Sequence, residues 1–395
     1  MRQPIDIVVT RNPVADTTMS SVANVTEYLD GEFTLTTDAD GGFALATVPL
    51  FMPSVEAAEV LLGWVGHRIV FLSPLQSDAN AGMIVWEGMI SYVDLDIGGQ
   101  TISRSMADAY NRAQVLYSII DTSTTPPTFG AQAITTAANN TASQALYGIR
   151  HLVYGVGGAT STTASQLRDV LLAQYATPRA IPGVVDVGPK ASSPAGARVT
   201  LGCVGFIETL DKRIYTQTAL TATATLDTII KAILTDVGQF VSADQSRIAA
   251  NTATRSRYFD GYLTARQVIG ALCSLGDGTT MRRNYFGIYA NRRAEYGPEP
   301  TTAAYIIHRQ DASMTVIDAV NGQEVPLFLV RPGRVVRVAD MLLDALNWGS
   351  DPNADPRRFV IGSVTYASSG ALSIAPVVND PSQISLARMG LSLIG

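Results

Sequence analysis

The alternation of apolar and polar residues divides the chain into strand-like stretches at both ends and helix-like stretches between them. Ile5–Val9, Phe33–Thr37 and Gly42–Val48 are short and apolar or alternating, and Asp40-Gly41-Gly42 supplies the turn chemistry of a hairpin. His67–Leu72 and Met83–Val93 continue the pattern with β-branched and aromatic residues. Strands at this spacing predict a small barrel or sandwich over residues 1–120. The stretch from Asp121 to Thr141 is rich in Thr, Ala and Pro and reads as a linker.

The period then changes. Leu146, Ile149, Leu152 and Val153 recur at helical spacing, as do Leu167, Val170, Leu171 and Tyr175, and the second of these helices stops before Pro178. Arg198–Phe206 and Lys212–Thr216 return to strand. Leu226, Ile229, Ile230, Ile233, Leu234 and Val237 share one helix face, with Thr225 as N-cap and Gly238 as the stop. A further helix from Thr264 to Leu275 turns Val268, Ile269, Leu272 and Cys273 inward. Both stripes must be covered, by each other or by the sheet strand Tyr285–Ala290. The end is β again: Arg331-Pro332-Gly333 turns into Arg334–Val338, and Phe359–Tyr366 pairs with Leu372–Val377 around Ala367–Gly370.

Length and composition narrow the function. A chain of 395 residues exceeds one ordinary core and divides into two to four domains. Charged residues make up 16%, against roughly 25% in an average soluble domain. A surface so poor in charge suits a chain that buries its outside against neighbours, although large cores would have the same effect. Residues 1–250 carry 14 Lys+Arg against 22 Asp+Glu, and residues 251–395 carry 14 against 12. Neither part has the concentrated positive face of a nucleic-acid-binding domain. Only Lys190, Lys212 and Lys231 are lysines. A skew towards arginine favours interfaces, and coding-sequence composition explains it equally well. Cys203 and Cys273 sit singly in apolar runs, which excludes a disulfide framework and a CxxC metal site. No run approaches the roughly 18 apolar residues of a membrane span, and MRQPIDIVVTRNP has no signal-peptide core.

Three stretches in order along the chain carry a resemblance. MIVWEGMISYVDLDIGGQTISRSMADAYNRAQVLYS pairs a Trp-Glu-Gly strand with an RS…N…V-Y run. SQALYGIRHLVYG, a Ser/Thr loop and ASQLRDVLLAQYATPR follow the pattern of a YG-R element, an alanine-rich helix and a closing aromatic-x-Pro-Arg, with Thr177 standing where the aromatic before the proline is usual. VRPGRVVRVADML and RRFVIGSVTYASSGALSIAPVVND close the series. Together they cover under half of the chain, and they resemble the baseplate hub proteins of phage tail tips.

The resemblance implies a mainly β fold, with two tail-tube-like β-barrel domains and a smaller α+β insertion. On that pattern residues 1–120 are the first barrel and 121–141 the linker. Residues 142–218 are helices and first strands of the second barrel, 219–325 the insertion, and 326–395 its closing strands and tail. The implied protein is a structural one, synthesised in the host cytoplasm and located in the virion. It would close the tail tube, anchor peripheral tail-tip or fibre proteins, and open for the tape-measure protein and genome delivery. Its partners would be further copies of itself, as a homotrimer forming a sixfold-like ring, and distal tail or tube proteins. No sequence-specific nucleic-acid contact is implied.

Candidate chemistry is sparse, and no catalytic, cofactor-binding or metal residue is assigned. Asp94 and Asp96 are two apart in a strand and share a face, as a glycosidase pair or cation site would require, but a solvated strand edge explains them more simply. Asp38-Ala39-Asp40-Gly41-Gly42 lacks the later acidic ligands of a calcium loop and reads as a hairpin turn. Gly155-Val156-Gly157-Gly158 lacks the spacing of a phosphate-binding loop. His67, His151 and His308 are scattered. Arg282-Arg283, Arg292-Arg293 and Arg357-Arg358 are candidates for a channel lining, with ion pairs as the plainer reading. Two other functional classes stay open: a cell-wall-degrading enzyme, which needs buried paired carboxylates, and a receptor- or glycan-binding β-module, which needs clustered exposed aromatics, for example around Trp348.

Overall fold

The computed structural model describes residues 5–14, 16, 18–78, 81–121, 123, 125–185, 196–215, 223–256, 262–276, 282–310, 313–339 and 358–377. The first stretch is built of strands β1 (Asp6–Thr10), β2 (Ser21–Asn24), β3 (Thr34–Asp38) and β4 (Gly41–Met52), helix α1 (Val55–Leu61), and strands β5 (Arg68–Asp78), β6 (Ala81–Ile97) and β7 (Gln100–Ser105). Alternation decides which face is buried. In β4, Ala46, Val48, Leu50 and Met52 point into the core while Leu45, Thr47 and Phe51 face out. Helix α1 begins at Ser54, whose hydroxyl accepts from the Ala57 amide (3.1 Å), and it lays Ala58 and Leu61 against the same core.

A second, four-stranded sheet follows, made of β8 (Arg112–Asp121), β9 (Thr128–Ile134), β10 (Ala138–Asn139) and β11 (His151–Ala159), with α2 (Thr141–Tyr147) before β11. Helix α3 (Ser161–Tyr175) packs Leu167 and Leu171 towards Val115 and Tyr117 of β8. Two expectations change here. Ile149, Leu152 and Val153 do not continue a helix, because Gly148 takes φ +70° and ends α2; the β-prone run beyond it pairs parallel to β8. The stretch read as a linker holds β9 and β10, both paired to β8.

Strand β12 (Ala180–Val185) pairs with β7, and β13 (Ala197–Val204) inserts between β4 and β6. The strand expected in a second barrel therefore completes the first sheet. Lys212–Thr216 is not a strand: helix α4 (Glu208–Asp211) precedes a single bridge from Ile214 to Thr264, and residue 216 lies outside the described residues.

The α+β region contains β14 (Thr223–Thr225), α5 (Leu226–Val237), β15 (Thr254–Ser256), α6 (Ala265–Cys273), β16 (Asn284–Tyr289) and β17 (Arg293–Pro298). Both helices behave as their stripes require. Ile229, Ile230 and Ile233 of α5 meet Val268, Ile269 and Leu272 of α6 in one core with Phe286 and Ile288 of β16, and each large side chain so buried stabilises by roughly 1.5–3 kcal/mol. Thr264 and Gln267 form a reciprocal capping box on α6.

Strands β18 (Ala303–Gln310), β19 (Ser313–Asp318), β20 (Val335–Val338), β21 (Arg358–Ala367) and β22 (Leu372–Pro376) end the described chain around a small core of Ile307, Val316, Val330, Val336, Ile361 and Val364. They do not stand apart. β21 pairs with β3, so the sheet runs continuously in the order β19-β18-β20-β21-β3-β4-β13-β6-β5-β1-β2. The protein is mainly β, and the described strands trace no closed barrel. A single bridge, Leu29 to Leu50, brings the segment after β2 back towards β4.

Long β6 lies between two cores. Trp86 and Ile90 face the first-sheet core, whereas Met89 joins the core of α5 and α6. Trp86 is fully buried, edge-on to Phe71 (5.6 Å, 89°), and donates from Nε1 to the Thr36 carbonyl (3.2 Å).

Candidate functional site

Residues from two of the three stretches behind the sequence resemblance gather into one structural joint. Asn111, at the start of β8, is almost fully buried and works in both directions. Its Nδ2 donates to the Gly148 carbonyl (2.7 Å) and the Ser143 hydroxyl (3.2 Å), and its Oδ1 accepts from the Arg150 amide (2.8 Å). Arg150 is buried and donates from Nε to the Ala109 carbonyl (2.8 Å) and from Nη2 to the Met106 carbonyl (2.7 Å). Burial pushes its guanidinium down to about 10, against the opposing pull of Glu208. Ser143 donates to the Ala176 carbonyl (2.5 Å), and the Tyr110 amide donates to the Tyr175 carbonyl (2.7 Å). The N of the RS…N run, the YG-R element and the approach to Pro178 thus pin the second sheet to the end of the first. A side chain at Gly148 would be strained twice over, by its φ of +70° and by a Cβ lying 2.3 Å from the Phe240 ring, which would have to move.

The Trp-Glu-Gly strand conceals a buried ion pair. Glu87 has no solvent exposure; its Oε2 accepts from Arg68 Nη2 at 2.6 Å, and its Oε1 accepts from the Arg292 backbone amide. Arg292 has φ +58°, an unusual conformation for a non-glycine residue, so this carboxylate holds a strained turn between β16 and β17 as well as an arginine.

The predicted candidates are dispersed. Asp94 and Asp96 point away from the core-facing Val93 and Leu95, and Asp96 Oδ1 accepts from the Gly99 amide (3.1 Å) across the hairpin. The Asp38–Gly42 stretch is a hairpin turn, with Gly42 at φ +80° pressed against Ile288 of β16. Asp40 pairs with Arg283, and Arg266 pairs with Asp211 (2.7 Å) beside it. Those four charges line a cleft of about 390 Å³ and satisfy one another. Gly155, Gly157 and Gly158 lie within β11 and make no loop. Arg293 pairs with Asp244 (2.9 Å), and Arg358 donates to the Thr301 carbonyl. Arg357 and Trp348 lie outside the described residues.

His67, His151 and His308 stay on separate elements, and among the described residues no three metal-ligating side chains gather. Burial pushes the Cys203 and Cys273 thiols up, as expected of inert core fillers. His151 is different. With Arg112 and Arg213 it lines a cavity of about 370 Å³, and burial together with the two guanidinium groups pushes its imidazole down to about 4.

No protein-family model matches the sequence, and no curated protein matches it. Among solved structures the chain is similar to the 43 kDa tail protein of prophage MuSo2 from Shewanella oneidensis, at 7% identity and TM-score 0.41 over 95% of this chain and 97% of that one. It is also similar to a tail protein from Neisseria meningitidis MC58, at 7% identity and TM-score 0.38 over 92% of each chain.

Several apolar side chains remain on the surface. Leu45 is 57% exposed and Phe51 46% exposed on the outer face of β4; Phe129 on β9 is 72% exposed, near the exposed Ile119 of β8. Sequence reasoning missed the Arg68–Glu87 pair and the Arg112–His151–Arg213 cavity. The signal for the first was a lone Glu inside an otherwise apolar strand. The second joins residues far apart in the chain and left no local signal.

Proposed function

We propose that the chain is a structural subunit of a phage tail, acting at the tip as a hub. The sequence resemblance supplies the class of assembly, and residues from two of its three stretches build a joint between two sheets, as a scaffold requires. The observation that carries the reading is the apolar outer surface of the strands. Leu45 and Phe51 on β4, and Phe129 and Ile119 on the β8/β9 hairpin, are exposed apolar sheet positions available for a neighbouring copy to cover.

On this reading three copies close into a ring. Each copy supplies two wall segments: strands β3–β6 and β13 around the first core, and β18–β22 around the smaller one. Helices α5 and α6, which already cover each other, lie at the periphery. The ring closes the tube, holds peripheral tip proteins and opens for the tape-measure protein and the genome. Bond-making chemistry has no part in it; Asp94 and Asp96 sit on a strand face as hairpin residues, which speaks for the scaffold over a cell-wall hydrolase.

The test is the mass of the purified full-length protein in solution and its two-dimensional class averages. A closed threefold ring is expected, and Leu45→Glu with Phe51→Glu should shift it to monomer while the circular dichroism spectrum is kept. A wild-type protein that stays monomeric at the concentration of assembled particles, or averages with α5 and α6 facing the lumen, would refute the reading.

A further inference from the structure

Two clefts in the molecule carry arginine pairs, and the contrast between them is informative. In the cleft beside Asp40, each guanidinium has its own carboxylate: Arg283 with Asp40 and Arg266 with Asp211. In the cavity between β8, β11 and the C-terminal end of α5, Arg112 and Arg213 face a shared space of about 370 Å³, and no carboxylate among the described residues forms an ion pair with either. Two further donor positions are stranded there. Arg112 Nε, and His151 Nε2 in the tautomer that carries its proton there, are shielded from solvent and have no hydrogen-bond partner among the described residues. A buried donor without an acceptor costs roughly 1–3 kcal/mol, and two like charges in one part-buried space add repulsion. Arg213 feels both: burial and Arg112 push its guanidinium down from its usual range. The acid at hand, Asp236, is exposed on α5 and forms no ion pair with them.

We infer that this cavity is a binding site for a small molecule bearing a doubly charged oxyanion of the phosphate type. Its oxygens accept from the Arg112 and Arg213 guanidinium groups and from His151 Nε2. Guanidinium forks match tetrahedral oxyanions in a bidentate manner, and the bonds they form are charge-assisted. The space is several times larger than a bare phosphate. Tyr215, Ile134 and Ile149 lie along the rest of it, so an organic group attached to the phosphate has an apolar surface to rest on. The inference is independent of the assembly proposed above, since it draws on the interior of one subunit.

The test uses the full-length protein with inorganic phosphate, phenyl phosphate and a short single-stranded DNA as probes, read by calorimetric titration and thermal unfolding. Phenyl phosphate is expected to bind more tightly than inorganic phosphate, and each should raise the unfolding temperature. Arg112→Gln or Arg213→Gln should weaken binding by about tenfold or more, the equivalent of one lost charge-assisted hydrogen bond. In phosphate-free buffer the same variants should unfold at an equal or higher temperature, because they relieve repulsion. A purely structural arginine would give the opposite. Equal binding by wild type and both variants, no phosphate binding at all, or tight binding of DNA without competition from phenyl phosphate would each overturn the inference.

Discussion

Replacing Glu87 with Met tests the internal logic of the first sheet. The carboxylate has zero exposure and two partners: the Arg68 guanidinium at 2.6 Å and the Arg292 backbone amide. Arg68 is itself only 9% exposed, so it has no route to water when its partner is removed. Breaking such a buried pair from one side costs about 3–5 kcal/mol. The orphaned Arg292 amide adds about 1–3 kcal/mol, placed on a turn already at positive φ. Arg68→Met alone should cost less, since Glu87 keeps the Arg292 amide as a donor. The double variant Arg68→Met/Glu87→Met removes both charges and should recover most of the loss, leaving only the amide term of about 1–3 kcal/mol. Urea unfolding followed by tryptophan fluorescence reports on this sheet, where Trp86 is adjacent and Trp64 packs against the same core. The unfolding midpoint of the double variant should lie above that of Glu87→Met. If the two single effects simply add, the pair is not coupled and the account of this strand is wrong.

Three further outcomes are expected. Asn111→Ala should cost about 2–4 kcal/mol, because it strands the Arg150 amide and the Gly148 carbonyl, and hydrogen exchange should show β8 and β11 opening before the first sheet. His151 should make the protein less stable in acid: its pKa in the folded chain is about 4 against 6.5 ordinarily, so the unfolded chain binds the extra proton and stability falls as pH drops from about 6.5 to 4. The loss is at most about 3 kcal/mol, reduced by screening at its accessible edge, and His151→Gln should flatten the pH profile of the unfolding temperature. Thr264→Ala removes half of the capping box on α6 and should lower stability by about 1 kcal/mol, read as a lower urea midpoint.

Local pattern carried much of the fold. The stripes Leu226–Val237 and Val268–Cys273 were legible as helices because their period, caps and stops agree, and the two cover each other as the pattern requires. Strands β1, β3, β13, β16, β20, β21 and β22 were legible within a residue or two for the same reason. By contrast, β4, β5 and β6 run longer than their apolar cores, and β2, β7, β9, β10, β12, β14, β15, β17, β18 and β19 carried no pattern strong enough to read. The run from His151 to Ala159 was not, since Leu and Val there satisfy either period and only its parallel pairing with β8 decides. Sheet order was invisible as well: nothing local to Ala197–Val204 says that it belongs between β4 and β6. At the candidate site, the hairpin reading of Asp38–Gly42 and the dispersal of the histidines could be read from the residues. The cavity that Arg112 and Arg213 share, with no ion pair to either among the described residues, could not, because it joins segments far apart in the chain.

The insertion of β13 between β4 and β6 has a consequence for how the chain is made. While residues up to about 196 leave the ribosome, β4 and β6 have no strand between them, and their backbone groups stay open on facing edges. The other flank waits longer still: the hydroxyls of Thr36 and Thr365 share a hydrogen bond across 329 residues. The earliest-made strands are thus among the last to be finished, and the pairings that finish them carry the greatest loop-closure cost. Throughout that interval the nascent sheet is open to pairing with other copies of itself. A fragment ending before residue 197 would keep that vulnerability permanently, so truncation from the C-terminus should yield aggregates where a self-contained domain would have yielded a soluble core.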